Sequence, residues 1–218
     1  MAQCPNCKQK GFLLFLTENG VCLQCKVSIA NEITNKFKVI IDTFEELQQS
    51  KEIKKIISGT EVILKLAGDL SNYDSYNIVE TNFSELAKKA QEEKEVFIIN
   101  YFQTKLQLTR AKVDDSDNVK ENVKHYKSLI IEAINNLIHL DLRRSELEEI
   151  ISQVKKEQKN FEINSYMDLG KKFELKSDTK KALDAYYEAL FIIRKLDENR
   201  NEEKMNLEIR IKKLGGKI

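Results

Sequence analysis

The chain has no tryptophan, one proline and only seven glycines among its 218 residues. Because proline and glycine are the residues that disfavour helices most, their scarcity favours a mainly α protein. No apolar run approaches the roughly 20 residues that cross a bilayer, and we expect neither a membrane partner nor a secretory leader. Lysine and arginine together number 36, against 35 aspartates and glutamates, so the net charge supplies no strong field for a polyanion. These absences favour a helical protein of the cytoplasm.

All four cysteines lie within the first 25 residues, as two Cys-x-x-Cys pairs: Cys4 with Cys7, and Cys22 with Cys25. Each pair places two thiolates on one side of a tight turn, and two such turns supply the four sulfur ligands that Zn²⁺ prefers. In a reducing cytoplasm, paired cysteines are more typical of metal ligands than of disulfides. We therefore predict that these four residues bind one structural Zn²⁺. Iron in a rubredoxin-like site is the main rival, and a redox pair is disfavoured because no βαβ unit surrounds the cysteines.

The segment between the two pairs has the pattern of a β-hairpin. An apolar stretch from Gly11 to Thr17 is followed by Glu18-Asn19-Gly20, and Asn-Gly is the strongest short hairpin signal. Over residues 1–33 the chain resembles a zinc ribbon. The resemblance implies a small N-terminal β domain, held together by a metal site with no coordination position left for water or substrate.

From about Asn35 the apolar periodicity changes from 2 to about 3.6, which predicts helices. We expect a helical domain over residues 34–115, with a break at Ser58-Gly59, a loop from Gly68 to Asn77 and a helix from Asn82 to about Lys112. The acidic residues near its end, Asp114, Asp115 and Asp117, lack the glycine and the closing glutamate of a calcium loop. Asn118 followed by Glu121 favours a capped helix start instead.

A heptad seam runs through residues 119–161. It predicts either one helix of about 43 residues or two helices that fold back near Asp141 to Arg144, and we favour the break because Ser145 to Glu148 is a capping box. An unbroken seam would suit a second copy of the chain, which makes a homo-oligomer an alternative. The seam positions, apolar except for Arg144 and Gln158, are Val119, Val123, Tyr126, Ile130, Ala133, Leu137, Leu140, Arg144, Leu147, Ile151, Val154, Gln158 and Phe161.

Within the predicted third domain, residues 116–218, lies a motif of two helices. Tyr166-x-x-Leu169-Gly170-x-x-Phe173 is followed by Ala182-x-x-x-Tyr186-x-x-Ala189. The residue types and offsets resemble a tetratricopeptide repeat (TPR) over residues 163–196, with one helix to Leu175 and the next from Thr179. Tyr166 replaces the family's tryptophan, and Arg194 its proline. The resemblance implies a short TPR-like α-solenoid whose groove holds peptides, with neighbouring helices covering the single repeat.

No phosphate-binding glycine loop, nucleophile with a base, or open metal site is evident in the sequence, so we expect no catalysis. His125 and His139 lack partners at metal-ligand spacing and are expected to be ordinary surface or core-edge residues. The sequence thus predicts a non-catalytic adaptor or regulatory subunit that binds another protein through its helical body. The alternative is a nucleic-acid-associated factor that contacts DNA or RNA through the ribbon. The residues that favour it are Lys8, Lys10, Lys26, Lys36, Lys38, Phe12 and Phe15.

Overall fold

A computed structural model describes residues 2–11, 14–114, 118–196 and 200–218. Within these ranges the protein is mainly α, as predicted, and no helix is long and apolar enough to cross a membrane. Short 3₁₀ turns lie at Asp74–Tyr76 and Leu137–His139. The secondary-structure elements are β1 Ala2–Gln3, β2 Lys10–Gly11, α1 Leu23–Gln49, α2 Ile53–Ser71, α3 Phe83–Asp114, α4 Val119–Asn136, α5 Arg144–Leu175, α6 Thr179–Arg194 and α7 Asn201–Lys213.

The chain forms two compact units. Unit 1 comprises Met1–Tyr101 with His139–Arg143, and unit 2 comprises Phe102–Ile138 with Arg144–Ile218. Helix α3 therefore contributes residues to both units. The three-part division at residues 33 and 115 stays a prediction; neither boundary coincides with a boundary of these units.

The first helix begins earlier than the sequence pattern predicts. Helix α1 starts at Leu23 rather than near Asn35, so the second cysteine pair lies at a helix N-terminus. The apolar stripe extends upstream because Cys25, Ile29 and Ile33 are buried at helical spacing. Treating the cysteines as loop residues hid this part of the stripe.

Between α1 and α2 the predicted break at Ser58-Gly59 is wrong. The chain turns at Ser50 to Glu52, and α2 continues through Gly59. A Cβ at Gly59 would lie 2.7 Å from Cδ2 of the buried Leu47. This glycine therefore permits two helices to approach closely, and it does not end a helix.

A carboxylate from the preceding 3₁₀ turn caps the start of α3. Asp74 accepts hydrogen bonds from the backbone N–H of Phe83 at 2.8 Å, and from the N–H and hydroxyl of Ser84 at 2.9 and 2.6 Å. Burial by itself raises the pKa of Asp74, but the hydrogen bonds from Ser84 and Phe83 outweigh this effect. The pKa of Asp74 therefore lies below its ordinary value of 3.8. The ionised carboxylate thus stabilises the start of α3.

We expect Asp74→Ala to lower the free energy of unfolding by about 1 kcal/mol at neutral pH, the usual cost of a lost helix cap. A depressed folded-state pKa stabilises the protein above the unfolded pKa, and that contribution disappears as pH falls through the folded value. The difference between wild type and Asp74→Ala should therefore shrink below pH 3.8. Urea unfolding across pH measures it, with the exposed Glu80→Ala as control; a difference independent of pH would contradict the cap.

The heptad segment is broken, as we favoured. Helix α4 ends at Asn136 and α5 begins at Arg144, and Asn118 accepts the Glu121 N–H at 3.3 Å, which confirms the predicted cap. Asp115 and Asp117 lie outside the described residues. The fully buried carboxylate of Glu95 accepts the backbone N–H groups of Asp141 and Arg143 at 3.2 and 2.7 Å. The seam side chains of α4 and α5 are largely buried within unit 2. The chain therefore buries its own seam by folding back, without a second copy.

Helices α5, α6 and α7 share one hydrophobic core cluster in unit 2. The predicted end at Leu175 and start at Thr179 are confirmed, and Asp178 caps α6 by accepting the Lys181 N–H at 3.2 Å. Gly170 is buried against Tyr186, whose side chain is fully enclosed. The buried members of this cluster are Ile163, Ala182, Tyr186, Ala189, Leu190, Ile193, Leu207 and Ile211.

Candidate metal centre

The four predicted cysteines converge on one point. Their Sγ atoms all lie within 4.8 Å of one another, and those of Cys7 and Cys22 are 3.9 Å apart. A tetrahedral metal with bonds of about 2.3 Å to sulfur separates its ligands by about 3.8 Å. The cluster therefore has the dimensions of a four-thiolate metal site. In the described parts of the chain, it is the one group of three or more His, Cys, Asp and Glu side chains placed to hold a metal ion.

The first cysteine pair is held by a small antiparallel ladder. Ala2 pairs with Gly11 and Gln3 with Lys10, so β1 and β2 flank the turn. Inside it, the Cys4 N–H donates to the Gln9 carbonyl at 3.0 Å, and the Lys8 N–H donates to the Cys4 carbonyl at 2.9 Å. Lys8 has a φ of 61°, the left-handed conformation that closes the turn after Cys7. These contacts direct Cys4 and Cys7 toward the second pair.

The second pair is positioned by a turn and a helix. Leu16 and Cys22 form an antiparallel bridge, and the Thr17 N–H donates to the Val21 carbonyl at 2.8 Å. This turn lies at the predicted Asn19-Gly20 position, and Gly20 adopts the φ of 73° that glycine permits. Phe12 and Leu13 lie outside the described residues. Cys22 occupies the N-cap position of α1 without a capping hydrogen bond from its side chain, and Cys25 lies in the first turn.

Hydrogen bonds to sulfur favour ionised ligands. The Cys22 N–H donates to Cys4 Sγ at 3.4 Å, and the Asn6 side-chain amide donates to Cys25 Sγ at 3.4 Å. The bond from the Cys22 backbone, reinforced by those of Cys7 and Asn6, lowers the pKa of Cys4 to about 6 despite burial. The Cys25 backbone lowers the pKa of Cys22, but burial and the neighbouring Cys25 and Cys4 thiols raise it more, so its net shift is upward. Because the four Sγ atoms lie within 4.8 Å of one another, repulsion between thiolates opposes the ionisation of all four unless a cation lies among them.

The cysteine cluster belongs to the core of unit 1. Cys4, Cys22 and Cys25 are buried, whereas Cys7 is exposed. The buried three share one apolar cluster with residues of α1, α2 and α3, including Ile29, Ile63 and Phe83. The cysteine cluster and the helices therefore pack into one core within this unit.

The residues predicted for nucleic-acid contact lie between positions 8 and 38, and some of the lysines form ion pairs. Lys26 pairs with Glu18 at 3.1 Å, and Lys36 pairs with Glu32 at 2.8 Å and with Asp69 at 3.4 Å. Phe15 is exposed on 82% of its surface, and Phe12 lies outside the described residues. His125 and His139 are half-buried. Asn6 is the contributor that the sequence reading missed, although an amide between two cysteines is a usable signal for a hydrogen bond to sulfur.

No protein-family model, no curated protein and no solved structure matches the chain. The class that the fold and site define is a mainly α protein whose N-terminal four-cysteine cluster could hold a metal ion.

Proposed function

We propose that the chain is a non-catalytic cytoplasmic interaction protein, an adaptor or regulatory subunit, in which a structural Zn²⁺ holds the N-terminal segment on the helices. The observation that carries this proposal is the four-cysteine cluster embedded in the core of unit 1. Four protein ligands complete a tetrahedral coordination shell, which leaves no position for a substrate. A metal in such a site contributes folding free energy rather than chemistry.

Zinc is the metal that we propose because the site needs only a rigid tetrahedral cation. Zn²⁺ has no redox chemistry and binds four thiolates at about 2.3 Å. The helix N-terminus at Cys22 and the backbone bond to Cys4 both favour anionic sulfur. Iron accepts the same ligands, so the identity of the metal is decided by direct analysis of the protein.

The TPR-like hairpin is the part of the helical body to which we assign partner binding. The close approach of Gly170 in α5 to Tyr186 in α6 and the full burial of Ala182 and Ala189 support this assignment. A groove of about 390 Å³ lies between the two helices. It combines aromatic and charged side chains, a composition that suits a peptide. The groove residues are Tyr166, Leu169, Phe173, Lys181, Asp184, Ala185, Tyr187 and Glu188.

Affinity capture with the full chain, from a lysate of the cells that contain it, tests this function. We expect a specific protein to be retained after nuclease treatment and to be lost with Leu169→Glu, which alters the groove. Leu175→Glu in the same helix is the matched control, because that side chain is already 88% exposed. Recovery that depends on nucleic acid and not on Leu169 would favour the nucleic-acid alternative and contradict the proposal.

A further inference from the structure

A second and larger groove lies within unit 2, between α4 and α5. Its volume is about 790 Å³. It shares no described lining residue with the α5–α6 groove. Neither the heptad seam nor the repeat pattern predicts it, because most of its lining residues lie beside the seam. They are Lys127, Ile130, Ile131, Ser152, Lys155, Lys156, Gln158, Lys159 and Leu196.

On the α4 side the groove is lined by Ile130 and Ile131, and an exposed isoleucine stripe runs on from Ile131 beyond the groove. Ile130 is buried, but Ile131 is 60% exposed, and the stripe continues along the helix and the 3₁₀ turn with Ile134 at 44% and Ile138 at 78%. The spacing of three residues places Ile131 and Ile134 on one face of α4, and Ile138 follows in the 3₁₀ turn after the helix. Exposed aliphatic surface of this kind is unfavourable in water, at about 25 cal/mol per Å², and contiguous apolar patches mark interaction sites.

The α5 side of the groove is basic. Ser152, Lys155, Lys156 and Lys159 recur at offsets of three, four and seven residues, which places them on one helix face. Lys127 adds a fourth ammonium group from α4, and none of the lining residues that the structure describes is acidic. Lys159 contacts Glu162 at 3.3 Å, but that carboxylate is largely buried and lies outside the lining. An approaching ligand therefore meets an aliphatic strip beside a positively charged one.

We propose that this groove binds an acidic amphipathic helix of a partner protein. The inference rests on the proposed function in that the ligand is a protein segment. A helix with aliphatic residues at offsets of three, four and seven would cover Ile131, Ile134 and Ile138. Its flanking aspartates and glutamates would face Lys127 and Lys155, which supplies charge complementarity and a faster association rate.

Two other occupants fit less well. Single-stranded nucleic acid is held by aromatic stacking as well as by basic residues, and among the described residues the groove lining has neither aromatic nor arginine side chains. A second copy of the chain would bind this face to itself by two-fold symmetry. Such an interface would bring the lysines of both copies together, and the lining that the structure describes has no acidic strip to compensate them. The aliphatic strip and the positively charged strip beside it together favour an acidic amphipathic helix as the ligand.

The test is a titration of the full chain with a synthetic probe of about 20 residues, helical, with leucine on one face and glutamate on the others. We expect saturable binding that weakens at least about tenfold in the double variant Lys127→Glu with Lys155→Glu, since two attractions become repulsions. Ile131→Ser should weaken it about fivefold through lost apolar contact. Lys65→Glu with Lys88→Glu, which alters two exposed lysines of unit 1 by the same charge, should leave the affinity unchanged.

Several results would overturn the inference. They are no binding of the acidic probe, equal binding of a lysine-for-glutamate version, and affinities that are the same in all variants. Tighter binding of a 20-nucleotide oligothymidine that is insensitive to Ile131→Ser would reassign the groove to nucleic acid. A dimer in sedimentation that Ile131→Ser dissociates would reassign it to a second copy. Lysate capture that depends on Leu169 but not on Lys127 and Lys155 would refute this groove while leaving the proposed function intact.

Discussion

Cys22→Ser is expected to abolish metal binding and to unfold the helices of unit 1, with loss of far-UV helical signal. Cys22 is a member of the sulfur cluster and occupies the N-cap position of α1. It is buried in the same core as α2 and the first part of α3. Structural zinc sites contribute on the order of 10 kcal/mol of apparent binding free energy, which exceeds or matches the whole stability of a typical domain. Circular dichroism with elemental analysis of the same sample measures both effects.

Val27→Ser is the matched control for this change, because Val27 lies in the same helix with 53% of its surface exposed. It should retain the metal and the full helical signal. Unit 2 should remain folded in the Cys22→Ser variant, since its core cluster around Tyr186 contains no residue of the cysteine cluster. Full helicity in a metal-free Cys22→Ser protein would show that the N-terminal segment folds separately from the helices.

Gly170→Ala should lower the free energy of unfolding of unit 2 by about 1–3 kcal/mol, the usual cost of overpacking a core. An added Cβ would lie 2.7 Å from Cδ1 and Cζ of Tyr186. The ring is fully buried, so it has no free space into which to move. Denaturant unfolding followed by tyrosine fluorescence measures the loss.

Gly68→Ala provides the opposite expectation for the same substitution. Gly68 lies in α2, and nothing lies within 4 Å of the position of an added Cβ. A glycine in a helix interior costs roughly 0.5–1 kcal/mol relative to alanine, so this variant should be more stable than the wild type. If Gly170→Ala were equally stabilising, α5 and α6 would not be packed as closely at Gly170 as the structure shows.

Sequence reasoning succeeds here where one residue type has one physical role. Two Cys-x-x-Cys pairs specify the ligand set, Asn118 with Glu121 specifies a helix start, and the polar interruption at Arg144 coincides with the break in the heptad seam. The ends of the α5–α6 hairpin were predictable for the same reason, because Lys176 to Asp178 form a polar turn between two apolar stripes.

Sequence reasoning fails where one residue has two roles. Gly59 reads as a helix breaker, but it is the contact point for Leu47. Cys22 and Cys25 read as loop residues, but they also begin α1. The isoleucine stripe of the α4–α5 groove was hidden for a different reason. Ile131, Ile134 and Ile138 interleave with the seam, and only the side on which α5 packs decides which isoleucines remain exposed.

X-ray absorption at the zinc edge, combined with elemental analysis of the intact chain, tests the central claim most directly. The account predicts one zinc per chain, surrounded by four sulfur ligands at about 2.3 Å. It also predicts that the Cys4, Cys7, Cys22 and Cys25 thiols become resistant to alkylation while the metal is bound. A chain that purifies with iron, with a nitrogen or oxygen ligand in the shell, or with no metal and four reactive thiols would contradict it.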